Sequence, residues 1–208
     1  MIFQYHLIFI DIPKTMSKFN PFIHDRRSIR LKGYDYSKEG LYFITICCHK
    51  QQYLFECIPN VDDVSCSRRP TCRPNELKIE LNDAGKMVDD VWIKIPERFP
   101  HVLLHEYIIM PNHFHAILEI LGPSPAVRAP LEVAPDKAAA LGEILGAFKS
   151  ISTVEYIQGV KKLGWPTFNG KLWQRDFFDH IIRNERSFHR ISRYILNNPK
   201  NWKGDKFY

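Results

Sequence analysis

Apolar residues fall along the chain in two periods, and the switches between them predict the elements. Leu41-Tyr42-Phe43-Ile44-Thr45-Ile46-Cys47-Cys48 is dense in aromatic and β-branched residues and predicts a first strand. Between Asn82 and Arg98 the apolar positions Met87, Val88, Val91, Trp92 and Ile95 recur at three and four, which predicts an amphipathic helix. His101 to Ile109 predicts the next strand, built on Val102-Leu103-Leu104 and Tyr107-Ile108-Ile109, and His113 to Ile120 another. Met110-Pro111-Asn112 between them predicts a tight turn, because proline fixes φ and asparagine tolerates turn geometry.

Beyond Leu141 the period is helical. Leu141, Ile144, Leu145, Phe148, Ile151 and Tyr156 line one face of a helix that also carries Lys149. A stretch rich in Gly, Pro and Asn (Gly164 to Gly170) precedes a mixed segment, Leu172 to Arg183. A last helix is predicted from an N-cap at Asn184 to a stop at Pro199. Residues 59–74 and 122–135, Pro-rich and without apolar period, read as surface insertions. No internal repeat is visible, and the order β, α, β, β, α predicts an α+β fold with helices on an antiparallel sheet.

Composition narrows the class. A length of 208 residues suits one domain, and 45% hydrophobic with 25% charged residues is ordinary for a globular protein. An excess of 29 Lys and Arg over 23 Asp and Glu favours a polyanionic partner. The five cysteines form no C-x-x-C pair and are odd in number, which favours reduced thiols and a cytoplasmic location. Cys66 and Cys72 lack zinc-ribbon spacing. The apolar run at residues 1–11 is too short to span a bilayer and has neither a basic flank nor a cleavage site, and Met16 is an alternative start.

The candidate chemistry begins at His113-Phe114-His115. Alternate residues of a strand share a face, so both imidazoles point one way and Phe114 the other. That makes a pair of metal ligands on a rigid support. On the last helix Tyr194 and Asn198 lie one turn apart on one face. A phenol with a pKa of about 10 needs help to act as a nucleophile. An amide oxygen beside imidazoles suits Mg²⁺ or Mn²⁺. Read more plainly, Tyr194 is a core-edge aromatic beside Ile191 and Ile195, and Asn198 caps the helix before Pro199. Tyr156 is the rival nucleophile, but Val160 four residues on cannot bind a metal.

Four blocks in order then carry a resemblance: Arg27-Ser28-Ile29-Arg30-Leu31-Lys32-Gly33-Tyr34-Asp35-Tyr36; Met110-Pro111-Asn112-His113-Phe114-His115; Trp173-Gln174-Arg175 through Asp179-His180-Ile181-Ile182-Arg183; and Tyr194-Ile195-Leu196-Asn197-Asn198-Pro199. Over roughly Arg26 to Asn201 the chain resembles the REP-associated tyrosine transposases, relatives of small insertion-sequence transposases in the HUH single-strand endonuclease superfamily. The resemblance implies a ferredoxin-like or RRM-like sheet with the histidine pair on a central strand. It also implies attack by Tyr194 on a phosphate of single-stranded DNA at hairpin-forming palindromic repeats, giving a 5′-phosphotyrosine and a free 3′-OH. His113, His115 and Asn198 carry over as ligands of a divalent ion, Mg²⁺ or Mn²⁺. No membrane partner is implied, and both a monomer and a homodimer that exchanges helices fit.

The domain then spans 26–201, with 1–25 as an N-terminal extension and 202–208 as a tail. Candidates for DNA contact are Arg26, Arg27, Arg30 and Lys32 before the first strand, and Lys149, Arg175 and Arg183 near the site. Trp173 is a candidate for stacking a splayed base or for core packing. His180 is a possible accessory group for orientation or proton transfer. Two other functions stay open: a catalytically idle hairpin-binding protein on the same fold, and a zinc hydrolase using His113, His115 and either His101 or His105.

Overall fold

A computed structural model of the chain describes residue 31 and residues 33–57, 80–122 and 139–204. The elements in order are β1 (Gly40–Cys47), β2 (Glu56–Cys57), β3 (Glu80–Leu81), α1 (Asp83–Ile93), α2 (Ile95–Arg98), β4 (Val102–Met110), β5 (His113–Ile120), α3 (Leu141–Leu163), β6 (Phe178–Ile182) and α4 (Glu185–Asn197). Two 3-10 turns, His49–Gln51 and Asn198–Gly204, complete the set.

Four strands form one antiparallel sheet in the order β4-β5-β1-β6, and β2 pairs with β3 in a separate two-stranded ribbon. Taking the sheet strands with α1 and α3 gives β-α-β-β-α-β, the ferredoxin-like arrangement expected. β5 lies inside the sheet, between β4 and β1.

Alternation along β1 and β5 divides the sheet into two faces. Tyr42, Ile44 and Ile46 of β1 and Phe114, Ala116 and Leu118 of β5 join the larger core, with Val88 and Trp92 of α1 and Ile144, Leu145 and Phe148 of α3. The other face carries Ile117 and Ile182, covered by Ile191 and Ile195 of α4. The protein is therefore three layers deep: α1 and α3, the sheet, then α4.

Local chemistry explains the element ends. Asn82 caps α1 through its side-chain oxygen, which accepts from the Gly85 amide at 2.8 Å. The predicted single helix of 82–98 breaks at Lys94, where Pro96 cannot continue the hydrogen-bond ladder, and resumes as α2. α3 runs seven residues beyond Tyr156 and ends at Gly164, whose φ of 71° is a left-handed cap that glycine takes without strain. Asn184 caps α4, accepting from the Ser187 amide at 2.8 Å.

The ribbon β2–β3 was not expected from the sequence pattern. Each strand is two residues long and flanks the insertion at 59–74, too short to show a period. The N-terminal extension 1–25, Arg26, Arg27, Arg30, Lys32, Cys66, Cys72, and most of both insertions lie outside the described residues. Among those described, no helix is long and apolar enough to cross a membrane, and Cys47 and Cys48 form no disulfide.

Candidate metal and nucleophile site

The turn before β5 is pinned by main-chain bonds. The Leu54 amide donates to the Pro111 carbonyl and the Cys48 amide to the Asn112 carbonyl, both at 2.8 Å. The histidines therefore leave a fixed platform. His113 is fully buried and His115 is 1% exposed, so each needs a polar partner. His113 Nδ1 donates to Asn112 Oδ1 at 2.7 Å, which leaves its Nε2 with a lone pair. His115 Nδ1 lies 2.7 Å from the hydroxyl of Thr45, its cross-strand neighbour on β1. A hydroxyl both donates and accepts, so Thr45 holds either tautomer of that ring.

With both Nδ1 atoms engaged, the two Nε2 atoms meet at 3.0 Å. Two nitrogens each about 2.1 Å from a common ion and at a right angle to one another would lie about 3.0 Å apart, the spacing of neighbouring ligands in an octahedral shell. The pair thus fits a divalent ion. Among the described residues no third His, Cys, Asp or Glu joins it, so a further ligand from these residues is of another type.

The structure brings Tyr194 to the pair. Its hydroxyl is 3.3 Å from His115 Nε2, while the residue remains 43% exposed. Phe43 stacks on His115 and meets the Tyr194 ring edge to face, fixing the approach of the two rings. Asn198 follows α4 with helical φ and ψ and is 1% exposed, so the one-turn spacing from Tyr194 survives the helix end. The helix itself is set on the sheet by Ile191 and Ile195 and by the Ser192 hydroxyl, which donates to Glu106 of β4 at 3.0 Å. Tyr194 and the histidines belong to one chain.

Tyr156 is excluded as a nucleophile here. It is fully buried on the opposite face, donates to the Pro166 carbonyl at 3.0 Å, and burial pushes its hydroxyl up to about 12.

Other expected residues are placed differently. Trp173 is 4% exposed, packs on Phe55 and Phe148, and donates its indole N–H to Ser152, so it takes the packing role. Lys149 does not line the site. It lies on α3, across the sheet, and donates to the carbonyls of Gln174, Arg175 and Asp176. Arg175 is exposed on the segment Lys149 holds, outside the cleft described below. His105 pairs with Glu119 at 3.0 Å, and His101 sits at the start of β4, beside the far end of β5; neither reaches the histidine pair, which removes the zinc-hydrolase set.

Arg183 and His180 do belong with Tyr194. They line a cleft of about 1230 Å³ between β6 and the polar side of α4. The same cleft carries Arg186, Arg190 and Arg193, which the sequence reading passed over; their spacing of four and three on the helix of the tyrosine was the available signal.

Trp202 was also missed. It stacks on His113 with ring centroids 5.6 Å apart, so the tail assigned to 202–208 begins inside the 3-10 turn that covers the site. Only contact in three dimensions marks that residue.

No family model matches the chain. An uncharacterized protein of Haemophilus influenzae is 38% identical over 202 residues, covering 92% of this chain and 98% of its own. Among solved structures, the chain is similar to a REP-associated tyrosine transposase bound to a REP hairpin (16% identity, TM-score 0.45, covering 85% of this chain and 76% of that one). It is also similar to a protein of Deinococcus radiodurans described as a transposase candidate (15% identity, TM-score 0.42, covering 81% and 95%).

Proposed function

The chain belongs to one family with the Haemophilus influenzae protein, and we propose that it is a metal-dependent single-stranded DNA endonuclease and strand transferase of the tyrosine-transposase type. The observation that carries this is one cluster: two imidazole Nε2 atoms 3.0 Å apart and a half-exposed phenol 3.3 Å from one of them. A phenol that is set against two candidate ligands and still reaches solvent is placed to attack a group held there.

His113 and His115 would hold the divalent ion, Mg²⁺ or Mn²⁺, with Asn198 as the third protein ligand. When bound, the ion polarises the phosphoryl group and offsets the charge that develops on it. Thr45 and Asn112 orient the rings. Tyr194 Oη forms the new bond to phosphorus and loses its proton; the bond from phosphorus to the 3′ oxygen breaks, and that oxygen takes up a proton. One phosphodiester is exchanged for another, so a 3′-OH can reverse the step and rejoin strands. The sequence resemblance supplies the substrate class, hairpin-forming palindromic repeats.

The test is a labelled single-stranded hairpin incubated with the protein and Mg²⁺ or Mn²⁺. A covalent protein–DNA adduct that disappears in Tyr194→Phe is expected. An adduct that persists in this variant would overturn the nucleophile, and wild-type protein that binds the hairpin without forming an adduct would leave the idle binding protein.

A further inference from the structure

The polar side of α4 is strongly basic. Arg186 and Arg190 are four residues apart and Arg190 and Arg193 three, so the three side chains share one side of the helix, and they line the cleft together with Tyr194. Arg183, just before the helix, continues the row. All four are exposed, all four line the cleft, and among the described residues none is in an ion pair. Like charges at this spacing weaken a helix unless an anion lies over them. Among the described residues one carboxylate lines the cleft, Asp179, and it accepts from the Tyr36 hydroxyl at 2.7 Å rather than from an arginine.

We propose that this row is the binding track for the sugar-phosphate backbone of a single DNA strand, delivering a phosphate to Tyr194. This rests on the function proposed above and names the surface that presents its substrate. From Arg186 to Arg193 there are seven helical rises, about 10 Å at 1.5 Å per residue, so the row is long enough to engage more than one successive phosphate. Guanidinium groups suit this work because their planar forks pair with phosphate oxygens two at a time. Such contacts carry no sequence information, so the track positions a strand and leaves recognition of the repeat to other groups. A single strand seats its backbone between β6 and α4; the exposed Tyr194 ring at one end is an aromatic surface of the kind such grooves use.

The experiment measures binding of a fluorescent single-stranded oligonucleotide to full-length Tyr194→Phe protein without metal, over a series of salt concentrations. Arg186→Gln, Arg190→Gln and Arg193→Gln should each lower affinity several-fold and each reduce the slope of log affinity against log salt by about 0.7. Lys161→Gln, an exposed cation at the end of α3, should leave the slope unchanged. An unchanged slope in the three arginine variants, an equal loss in Lys161→Gln, or equal binding of a duplex of the same sequence would each overturn the proposal. Melting temperatures of the variants separate loss of contact from loss of fold. An adduct in the hairpin assay with unchanged slopes sinks the track and leaves the chemistry standing. Reduced slopes without an adduct do the reverse.

Discussion

The two faces of the sheet are made from the same strands and put to opposite uses. On β5, Phe114 points into an aromatic cluster with Trp92 at 4.8 Å and Phe148 at 5.3 Å between ring centroids, while His113 and His115 on either side of it point to α4. The first face is sealed by two helices and closes a large core. The second is covered by one helix, whose few buried isoleucines leave the neighbouring histidines to be covered by Tyr194 and Trp202. A strand held rigid by one face can present unusual polar groups on the other, because alternation separates packing from chemistry at every second residue.

That division is broken most strongly by Phe114→Ala. It should cost about 3–5 kcal/mol, read as a fall in melting temperature, because a ring packed between two others leaves a cavity. Metal binding should be lost only as the fold is lost.

Alkali attacks the same face. Tyr107 is pushed up to about 12 by burial and its hydrogen bond to Asp89, Tyr156 to about 12 by burial, and Tyr42 higher still by burial and its bond to Tyr34. A phenol whose folded value is raised adds its full stability below its unfolded value of about 10, and that stability is lost as pH climbs through 12. For the enclosed Tyr156 this amounts to about 3 kcal/mol. Unfolding followed beside tyrosinate absorbance should set in between pH about 10 and 12. Ionisation of these core tyrosines without unfolding would contradict the sealed-face picture.

The site face is probed by Thr45→Val, which keeps the shape of the side chain and removes the hydroxyl on His115 Nδ1. Manganese affinity should drop about 10- to 100-fold with little change in melting temperature, and Thr45→Ser should restore it. A smaller effect is expected of Ser192→Ala. Losing the hydrogen bond to Glu106 should cost about 1 kcal/mol, and hairpin cleavage should slow more than the stability loss explains if this bond sets the rotation of α4.

The strands β1, β4 and β5 and the helices α1, α3 and α4 were legible because each is long enough to repeat its period. β2 and β3, two residues each, had no room to do so. Within the site, His113, His115 and Tyr194 stood out because their side chains name a chemistry and their spacing names a face. Thr45 and Trp202 did not. A threonine in a strand and a tryptophan near the end of the chain are ordinary residues until a register or a turn lays them against an imidazole. Lys149 and Trp173 show the opposite error: each has the right side chain for DNA, and each is taken up by local packing.

The sequence by itself therefore determined most of the longer elements, the face each of their residues occupies and the small set of groups able to do chemistry, since these depend on periods of two and 3.6 and on side-chain type. The tertiary structure alone decided which groups meet. Residues 79 apart in sequence, His115 and Tyr194, stand 3.3 Å apart because β5 lies inside the sheet and α4 folds back over its polar face. The arginine row borders the same opening for the same reason: a helix that buries its isoleucines against the sheet must turn its charged side to the cleft.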